Sequence, residues 1–465
     1  MEKLFKEVNS LDKRCYEKFD LTEEILMEQA GSGIVRYIKD NFSKGSSVTV
    51  VTGGGNNGAD GVVIARQLHI DYDVKLYIST SFKHQIGKRQ LKRAISIGVK
   101  VTNQIESSDI LIDSLFGTGL SRKLEDKDSK LIESMNSISA FKIAVDIPSG
   151  IDVNGNLSCA VFKADKTFTM GALKLSLFSD SVKDYTGEIE VVDLGVAREI
   201  YEIDTDYYKL TESDLELPYR KLQNSHKGSY GHTAILSGER EGASIISALS
   251  ALNFGSGLVS IVSKERKEIP FELMQDRTIP KNTKVIVAGM GLGNTGLDFF
   301  KEIALNSRVP LVVDADIFHS TLIGDILETR SDEVVLTPHP REFQSMLSIL
   351  FKMDLSTKEI ASTRVELLEM FSNRYPNSVI LLKGANRVIA HRGKIYIDPL
   401  GSPNLAKGGS GDVLAGMIGS LIAQGYSPLQ ATISGTVAHS IASQNFSGNS
   451  YTLTPKKLIE ELGKL

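Results

Sequence analysis

Two stretches of this sequence carry residue types at spacings that could do chemistry. Near the C-terminus, Gly408, Gly409, Ser410 and Gly411 stand directly before Asp412, and VLAGMIGSLIA runs on as an apolar helix with small residues. Glycines at a helix N-terminus leave backbone N–H groups exposed, which makes a hole for an anion. An acid on the first turn beside that hole can take a proton from a hydroxyl while the amides steady a transferring phosphoryl group. Near the N-terminus, residues 53–61 read GGGNNGADG, between the apolar run SVTVVT and a helix expected from Ala59. Gly53, Gly55 and Gly58 satisfy G-x-G-x-x-G, and Asp71 and Asp73 follow at about the distance at which a ribose is read. Such glycines let backbone approach a phosphate. A tight turn capped by Asp60 is the plainer alternative.

Asn56, Asn57 and Asp60 put more polar side chains into the first loop than a phosphate cradle needs. Asp113, opening DSLFGTGLSRK, and Asp146, opening DIPSGIDVNG, fall where apolar runs give way to Gly-rich loops. In an open parallel sheet, ligands bind outside the carboxyl ends of the strands, so both should converge on one crevice with Asn57 and Asp60. Carboxylates and amides gathered without a cation suggest either a bound metal ion or a proton-transfer pair. Further along, GMGLGN (289–294), DAD (314–316), TPHPREF (337–343) and LLKGANR (381–387) each follow an apolar run. Lys383 could meet a nucleotide's phosphates. His339, held between Pro338 and Pro340 in a loop, is expected to touch a ligand. His226 and His232 are read as structural residues of a loop, because further metal ligands are missing.

These groups need a scaffold, and the sequence alternates short apolar runs with amphipathic stretches, the pattern of βαβ units and parallel sheets. In the first half, strands are expected at 47–52, 74–79, 110–113, 141–146, 166–170 and 188–193, with helices at 59–69 and 88–97 and a helical lead over 2–40. The pattern restarts with strands at 233–236, 258–262, 285–288, 311–314, 334–336, 379–383 and 387–391. Between them lies a polar segment interrupted by Pro218, which reads as a boundary region over 205–222. A length of 465 residues exceeds a single core, so two unlike α/β domains are expected, over 1–209 and 210–465.

Composition narrows the function classes. Lys+Arg 53 against Asp+Glu 57 lacks the basic footprint of a nucleic-acid binder. No run approaches the roughly 18 apolar residues of a membrane span, and the charged N-terminus does not read as a secretory signal. Cys15 and Cys159 match no metal or redox spacing and are read as buried small hydrophobes in a reducing, cytoplasmic setting. Glycine stands at 40 residues, about 9 % against a usual ~7 %, and gathers in strand-end loops. Anion binding should therefore rest on local amides and a bound cation rather than on a basic surface.

TGGGNNGADG, DSLFGTGL and DIPSGIDVNG, in that order, resemble the N-terminal epimerase domain of the bifunctional NAD(P)H-hydrate repair enzymes, and EVNSLDKR…LTEEILMEQAG resembles that family's first helices. The resemblance implies a Rossmann-like three-layer αβα domain that interconverts the R and S epimers of hydrated NADH and NADPH. Its dinucleotide ligand would touch Asn56, Asn57, Gly58, Ala59 and Asp60, the loop Gly117, Thr118, Gly119, Leu120, Ser121, Arg122 and Lys123, and Asp146. A potassium ion would be held by Asn57, Asp113 and Ser149. Asp146 is our choice for moving the proton. Ala59 stands where the family has glycine, tolerable if its φ is helical.

SHKGSYGH, GMGLG, TPHP-x-E, LLKGA and GGSGDVLAG resemble the same family's ribokinase-like α/β dehydratase domain, over most of residues 224–440. That domain would use ADP with Mg2+ to phosphorylate the ring hydroxyl and then expel phosphate. Asp412 would be the base. Lys383, Gly384, Ala385, Asn386, Arg387 and Gly411 match nucleotide contacts; Ala243, Gly291, His339 and Asp412 match contacts to the hydrated dinucleotide. Arg387 stands where a hydroxyl is usual, Ser402 and Leu405 replace an Asn and a Met, and Glu241-Gly242-Ala243 is expected to lengthen a ligand-side loop. Two rivals stay open: a vitamin-type small-molecule kinase, and a first domain that only binds or scaffolds. A homo-oligomer is compatible with the sequence.

Overall fold

The computed structural model describes residues 1–120, 123–330 and 334–465. The chain divides into two compact units, Lys3–Thr205 and Asp206–Leu465, the latter taking Met1–Glu2 as well.

In the first unit the strands lie in the order Lys100–Thr102, Asp73–Ile78, Ser47–Thr52, Ile110–Ser114, Phe141–Val145, Lys166–Met170, Glu188–Val192, all parallel. Alternate side chains leave on opposite faces, and both faces are buried. Val48, Val50, Ile110, Ile112, Ile143 and Val145 join one core with the helices Glu23–Asn41 and Asn56–Leu68. Val51, Leu111 and Ala144 join another with Ile132 and Met135 of the helix Asp126–Ser137. The result is a three-layer αβα unit. From Ser47–Thr52 the chain adds strands outwards on one side, then returns to add Ile110–Ser114 on the other. That reversal is where such sheets open a crevice at their carboxyl edge.

The leading segment is not helical throughout. Glu2–Phe5 is a strand, with Leu4 paired in parallel to Leu173 of Leu173–Lys174, and helices follow at Asn9–Phe19 and Glu23–Asn41. Four apolar-polar residues are too few to show a period, and tertiary pairing decides them. Cys15 is buried as expected, but Cys159 is exposed, with Ser129 Oγ 3.0 Å from its Sγ.

In the second unit the order is Met274–Asp276, Leu258–Val262, His232–Leu236, Val285–Ala288, Leu311–Val313, Val334–Leu336, Ser378–Leu382, Arg387–His391, Lys394–Asp398, Tyr207–Lys209. Pairing is parallel up to Ser378–Leu382, after which Arg387–His391 and Lys394–Asp398 run antiparallel as neighbours. Tyr207–Lys209 lies within the segment expected to be a boundary loop, yet pairs in parallel with Ile395–Ile397. The reversal point here lies between His232–Leu236 and Val285–Ala288. His232 opens a strand instead of sitting in a loop, and its ring meets Ser260 Oγ and Asn282 Oδ1; His226 caps a short turn. The helices Glu241–Asn253 and Ser410–Ala423 pack closely because Gly416 has no side chain: a Cβ there would overlap the Ser247 carbonyl oxygen.

No helix among the described residues is long and apolar enough to cross a membrane.

Candidate active sites

The first unit has a crevice of about 570 Å3 at its reversal point, lined by the 53–60 and 115–120 segments, Asp12, Asp146 and Met170. The helix that borders it starts at Asn56, three residues earlier than expected, with Gly55 as N-cap. Asn56, Asn57, Ala59 and Asp60 are therefore helical, so Ala59 is accommodated, and Asp60 is not a cap. Asn56 Nδ2 donates to Glu23 Oε1. The Asn57 amide is buried with neither its nitrogen nor its oxygen partnered. Burial, with the Asp146 and Asp12 charges behind it, pushes the Asp60 carboxyl well above the usual range, and it makes no hydrogen bond among the described residues.

Asp146 follows the strand Phe141–Val145 with φ of 74°, a conformation that side-chain-bearing residues rarely adopt. Its carboxylate accepts from Thr118 N and is ion-paired with Lys174 Nζ at 2.6 Å. The expectation of a cation-free cluster is thus corrected: a buried lysine arrives from a later strand. Asp113 is corrected too. It is fully buried, outside the crevice lining, and accepts from Ser149 N, Ser149 Oγ and Leu115 N. Burial pushes its carboxyl up to about 6, against the pull of those bonds. It ties the 115–120 loop to the 146–150 loop beneath the crevice. Gly117, Thr118, Gly119 and Leu120 line the crevice; Lys123 is exposed; Ser121 and Arg122 lie outside the described residues. Asp71 is engaged at the surface by Lys39 and Lys44, and neither it nor Asp73 lines the crevice, so the ribose-reading expectation fails.

In the second unit, Asp314, Thr337–His339 and Lys383 follow adjacent strands at one edge. Lys383 Nζ donates to Asp314 Oδ1 at 2.8 Å, and a Cβ on Gly411 would sit 3.4 Å from that ammonium. The helix Ser410–Ala423 begins after Gly409, whose φ of 91° turns the chain into it. Its first internal bond is Val413 N to Gly409 O, which leaves the amides of Gly411 and Asp412 without an acceptor among the described residues. Asp412 is pushed up to about 6 by burial and the nearby Asp314 charge, against the pull of Lys383. A base of that strength is matched to work near neutrality.

His339 is not a loop residue. It caps the helix Pro340–Phe351: Nδ1 accepts from Arg341 N and Glu342 N, and Nε2 lies 3.2 Å from Glu342 Oε1. Both ring nitrogens are engaged, which leaves the half-exposed ring itself for a ligand. Burial pushes Glu342 up to about 7.

Two family models match the chain. Residues 233–464 match NAD(P)H-hydrate dehydratase, and residues 23–176 match YjeF-related protein N-terminus. A bifunctional NAD(P)H-hydrate repair enzyme of Helicobacter pylori is 43% identical over 476 positions, covering 100% of both chains. This chain belongs to that family of bifunctional NAD(P)H-hydrate repair enzymes. The Escherichia coli relative is 32% identical over 93% of this chain and 87% of its own. A solved ADP/ATP-dependent NAD(P)H-hydrate dehydratase from Bacillus subtilis, co-crystallised with ATP and Mg2+, is 26% identical over 55% of this chain and 95% of its own, with a TM-score of 0.47. Full-length relatives of bifunctional name favour repair over a lone kinase beside a silent module.

Seen as a member of this family, the chain departs from expectation at its nucleotide loop. Lys383 stands at the Asp314 carboxylate, and Gly384 and Ala385 form an exposed turn. Asn386 is buried, its carbonyl accepting from Arg364. Arg387 points away into a buried network: its guanidinium donates to Asp398, Ser440 Oγ, Thr436 O and His439 Nδ1. With only a donor at Nδ1, His439 carries its proton on Nε2, which donates to Ser410 O at 2.9 Å. The chain Asp398–Arg387–His439 thus fixes the peptide at the start of the anion-binding helix. Glu241, Gly242 and Ala243 form the first turn of the helix Glu241–Asn253 rather than a longer loop, and Gly291 packs against the Arg240 backbone at the opposing strand end.

Sequence reasoning missed Lys174, Asp12 and His439 as parts of these sites; Glu342 stood in TPHP-x-E but was given no role. A lysine inside MGALKLSLF is the one such signal that was visible. An ionised side chain amid apolar neighbours needs a partner.

Proposed function

We propose that this enzyme repairs hydrated NADH and NADPH. Its first unit interconverts the R and S epimers, and its second dehydrates the S form with ADP. The observation that carries this is the pairing, on one chain of this family, of a carboxylate-lined crevice with a separate helix-end anion hole flanked by Asp412.

For dehydration, the ring hydroxyl oxygen attacks the terminal phosphoryl group of ADP, AMP departs, and Asp412 takes the hydroxyl proton. The Gly411 and Asp412 amides and Lys383 hold the transferring oxygens. Phosphate then leaves with the C–O electron pair, the neighbouring carbon gives up a proton that the departing phosphate carries away, and the ring double bond re-forms. Hydroxide leaves poorly and phosphate well, so the first half-reaction makes the second feasible. Among the described residues no three carboxylates, histidines or cysteines gather as a metal cage. That suits a Mg2+ carried in on the phosphates, where it would neutralise their charge. Ala243, Gly291 and His339 are the proposed contacts to the hydrated ring, and Lys383–Asn386 with Gly411 those to the nucleotide; Arg387 would act from behind.

For epimerisation, a bond at the hydroxyl-bearing carbon must break and re-form on the other face. A proton given by Asp60 to the departing oxygen, and one taken by Asp146 from the returning water, balance the exchange. Potassium fits the donors present, because the buried Asn57 amide oxygen has no partner and Asp113 and Ser149 add hard oxygens. Asn57, Asp113 and Ser149 would hold it, and it would supply positive charge beside the substrate. Two unpaired cysteines suit a reducing compartment, and we place the enzyme in the cytoplasm.

The test supplies hydrated NADH, ADP and Mg2+ and follows the near-ultraviolet dihydronicotinamide band. Recovery of that band is expected; a stable phosphorylated compound would mean a kinase instead. Asp412→Ala should cut dehydration by about 10²–10⁴-fold, the worth of a positioned base, and leave R–S exchange intact. Loss of both in a folded variant would show the sites wrongly divided.

A further inference from the structure

We infer that Lys174 is the positioning residue of the epimerase site, holding the Asp146 carboxylate by one oxygen so that the other faces the substrate loop. This rests on the epimerase reading and extends it to a residue outside the family's motif contacts named above.

Lys174 is only 1% exposed, and its ammonium has three acceptors: Asp146 Oδ1 at 2.6 Å, Thr169 Oγ1 at 2.8 Å and Met170 O at 3.2 Å. An ammonium has three N–H bonds, so each is spent on protein and none is left for a ligand. Lys174 can therefore act only through Asp146. The other carboxylate oxygen, Oδ2, accepts from Thr118 N at 3.3 Å and lies 2.9 Å from where a Cβ on Gly117 would be. It thus faces the GTGL loop and the crevice.

Two costs are accepted at this point. The Asp146 backbone is held at a φ of 74°, and a lysine is withdrawn from water. Backbone strain in a side-chain-bearing residue gathers where geometry serves function, and a buried charge survives only when paired. A lysine that merely tied strands together would be served equally by an aspartate with relaxed backbone. Here the bend carries Asp146 N to Phe168 O while turning the side chain between the ammonium and the loop. Other ionisable groups facing this spot are Asp12, which accepts from Tyr201 Oη, and Asp60. Without the ammonium, Asp146 would lose its ion pair beside the Asp12 and Asp60 carboxyl groups and would be free to swing away from the loop.

The test uses the full chain without ADP and follows R-to-S exchange of hydrated NADH, with ADP-dependent dehydration of the S form as an internal control. Lys174→Met should lower kcat for exchange about 10²-fold, as expected for a misplaced reacting group. KM should stay within about twofold and dehydration should not change. Lys174→Arg, which keeps the charge, should return part of the lost kcat. An unchanged kcat in Lys174→Met, or a loss confined to KM, overturns the inference. If Lys174→Met fails to fold, Thr169→Val removes one acceptor of the ammonium, together with a 3.4 Å bond to Ala172 O: a drop of about threefold in kcat at constant KM supports it, and no drop overturns it. If the wild-type chain shows no exchange at all, the epimerase reading fails and takes this inference with it.

Discussion

Both units place glycines before a helix, directly after a strand in the first and after the short turn Pro403–Leu405 in the second, yet the glycines do different work. In the 53–58 loop they are filled against protein. A Cβ on Gly53 would overlap the Leu115 carbonyl oxygen, one on Gly54 would sit 2.6 Å from Ser81 O, and one on Gly58 would overlap Gly53 O. Of the four glycines in this loop, Gly55 alone has open space beside it. In the 408–411 loop Gly409 is packed against Pro455, but the space is open at Gly408, where a Cβ would meet nothing within 4 Å, and Gly411 faces the Lys383 ammonium. The first loop is thus folded tightly on itself to present side chains, Asn57 and Asp60. The second presents backbone, with room left in front of it. The same sequence signature, glycines leading into a helix, covers a packing device in one unit and a ligand-facing hole in the other.

Alanine substitution breaks the two loops in different ways, with the largest expected effect in the first. Gly58 is helical, where alanine is ordinarily favoured by about 1 kcal/mol, but the added methyl meets backbone that cannot turn aside. Gly58→Ala should destabilise the first unit by about 1–3 kcal/mol, the usual scale of overpacking, and abolish R–S exchange while dehydration persists. Gly408→Ala should leave thermal unfolding unchanged and raise KM for ADP. Calorimetry with separate assays of the two activities decides it. A stable, active Gly58→Ala would mean that the first loop also keeps its space for a ligand.

This contrast explains what was legible in the sequence. Strands such as Ser47–Thr52, Leu258–Val262, Val285–Ala288 and Val334–Leu336 were readable because buried parallel strands are short runs dominated by apolar and β-branched residues. Tyr207–Lys209 and Leu173–Lys174 were not, since two or three residues hold no period and depend on a remote neighbour. Asn57, Asp60 and Asp146 were legible because strand-end loops converge in any open parallel sheet, and Asp412 because glycines led into its helix. Asp113 shares that position yet lies a layer deeper, and its depth is set by Ser149, not by spacing. Lys174 and His439 belong to segments that carry no motif. His339 misled because its prolines suggested a rigid loop, whereas Pro340 is the first residue of a helix, where its fixed φ is suited.

The second loop's open space needs support from behind, which gives an intermediate prediction. His439 Nε2 holds Ser410 O, and Arg387 holds His439. In His439→Leu one guanidinium N–H loses its partner, at a cost of about 1–3 kcal/mol for a buried orphan, and the Ser410 carbonyl keeps only its helical bond. Dehydration should fall about tenfold, chiefly through kcat, with R–S exchange unaffected. Equal rates would show that the glycine loop holds its shape unaided.

The smallest expected effect concerns pH, and it separates the units by sign. Dehydration requires Asp412 without its proton. Its carboxyl is pushed up to about 6, so the rate should fall on the acid side of that value and stay level above it. Asp314 contributes to that rise by charge repulsion, while Lys383 opposes it. Asp314→Asn removes the repelling charge and releases Lys383 from its ion pair at 2.8 Å, and both changes favour ionised Asp412. The acid limb should therefore move to lower pH, even as the maximal rate drops. Epimerisation requires Asp60 with its proton, and burial beside Asp146 and Asp12 raises that carboxyl well above the usual range. Its activity should therefore fail on the alkaline side, where Asp60 ionises. Opposite limbs in one chain, read from the two assays across the same buffers, would follow from a backbone-built site served by a base and a side-chain-built site served by an acid. Parallel limbs would mean that Asp60 only binds, leaving both protons of epimerisation to Asp146.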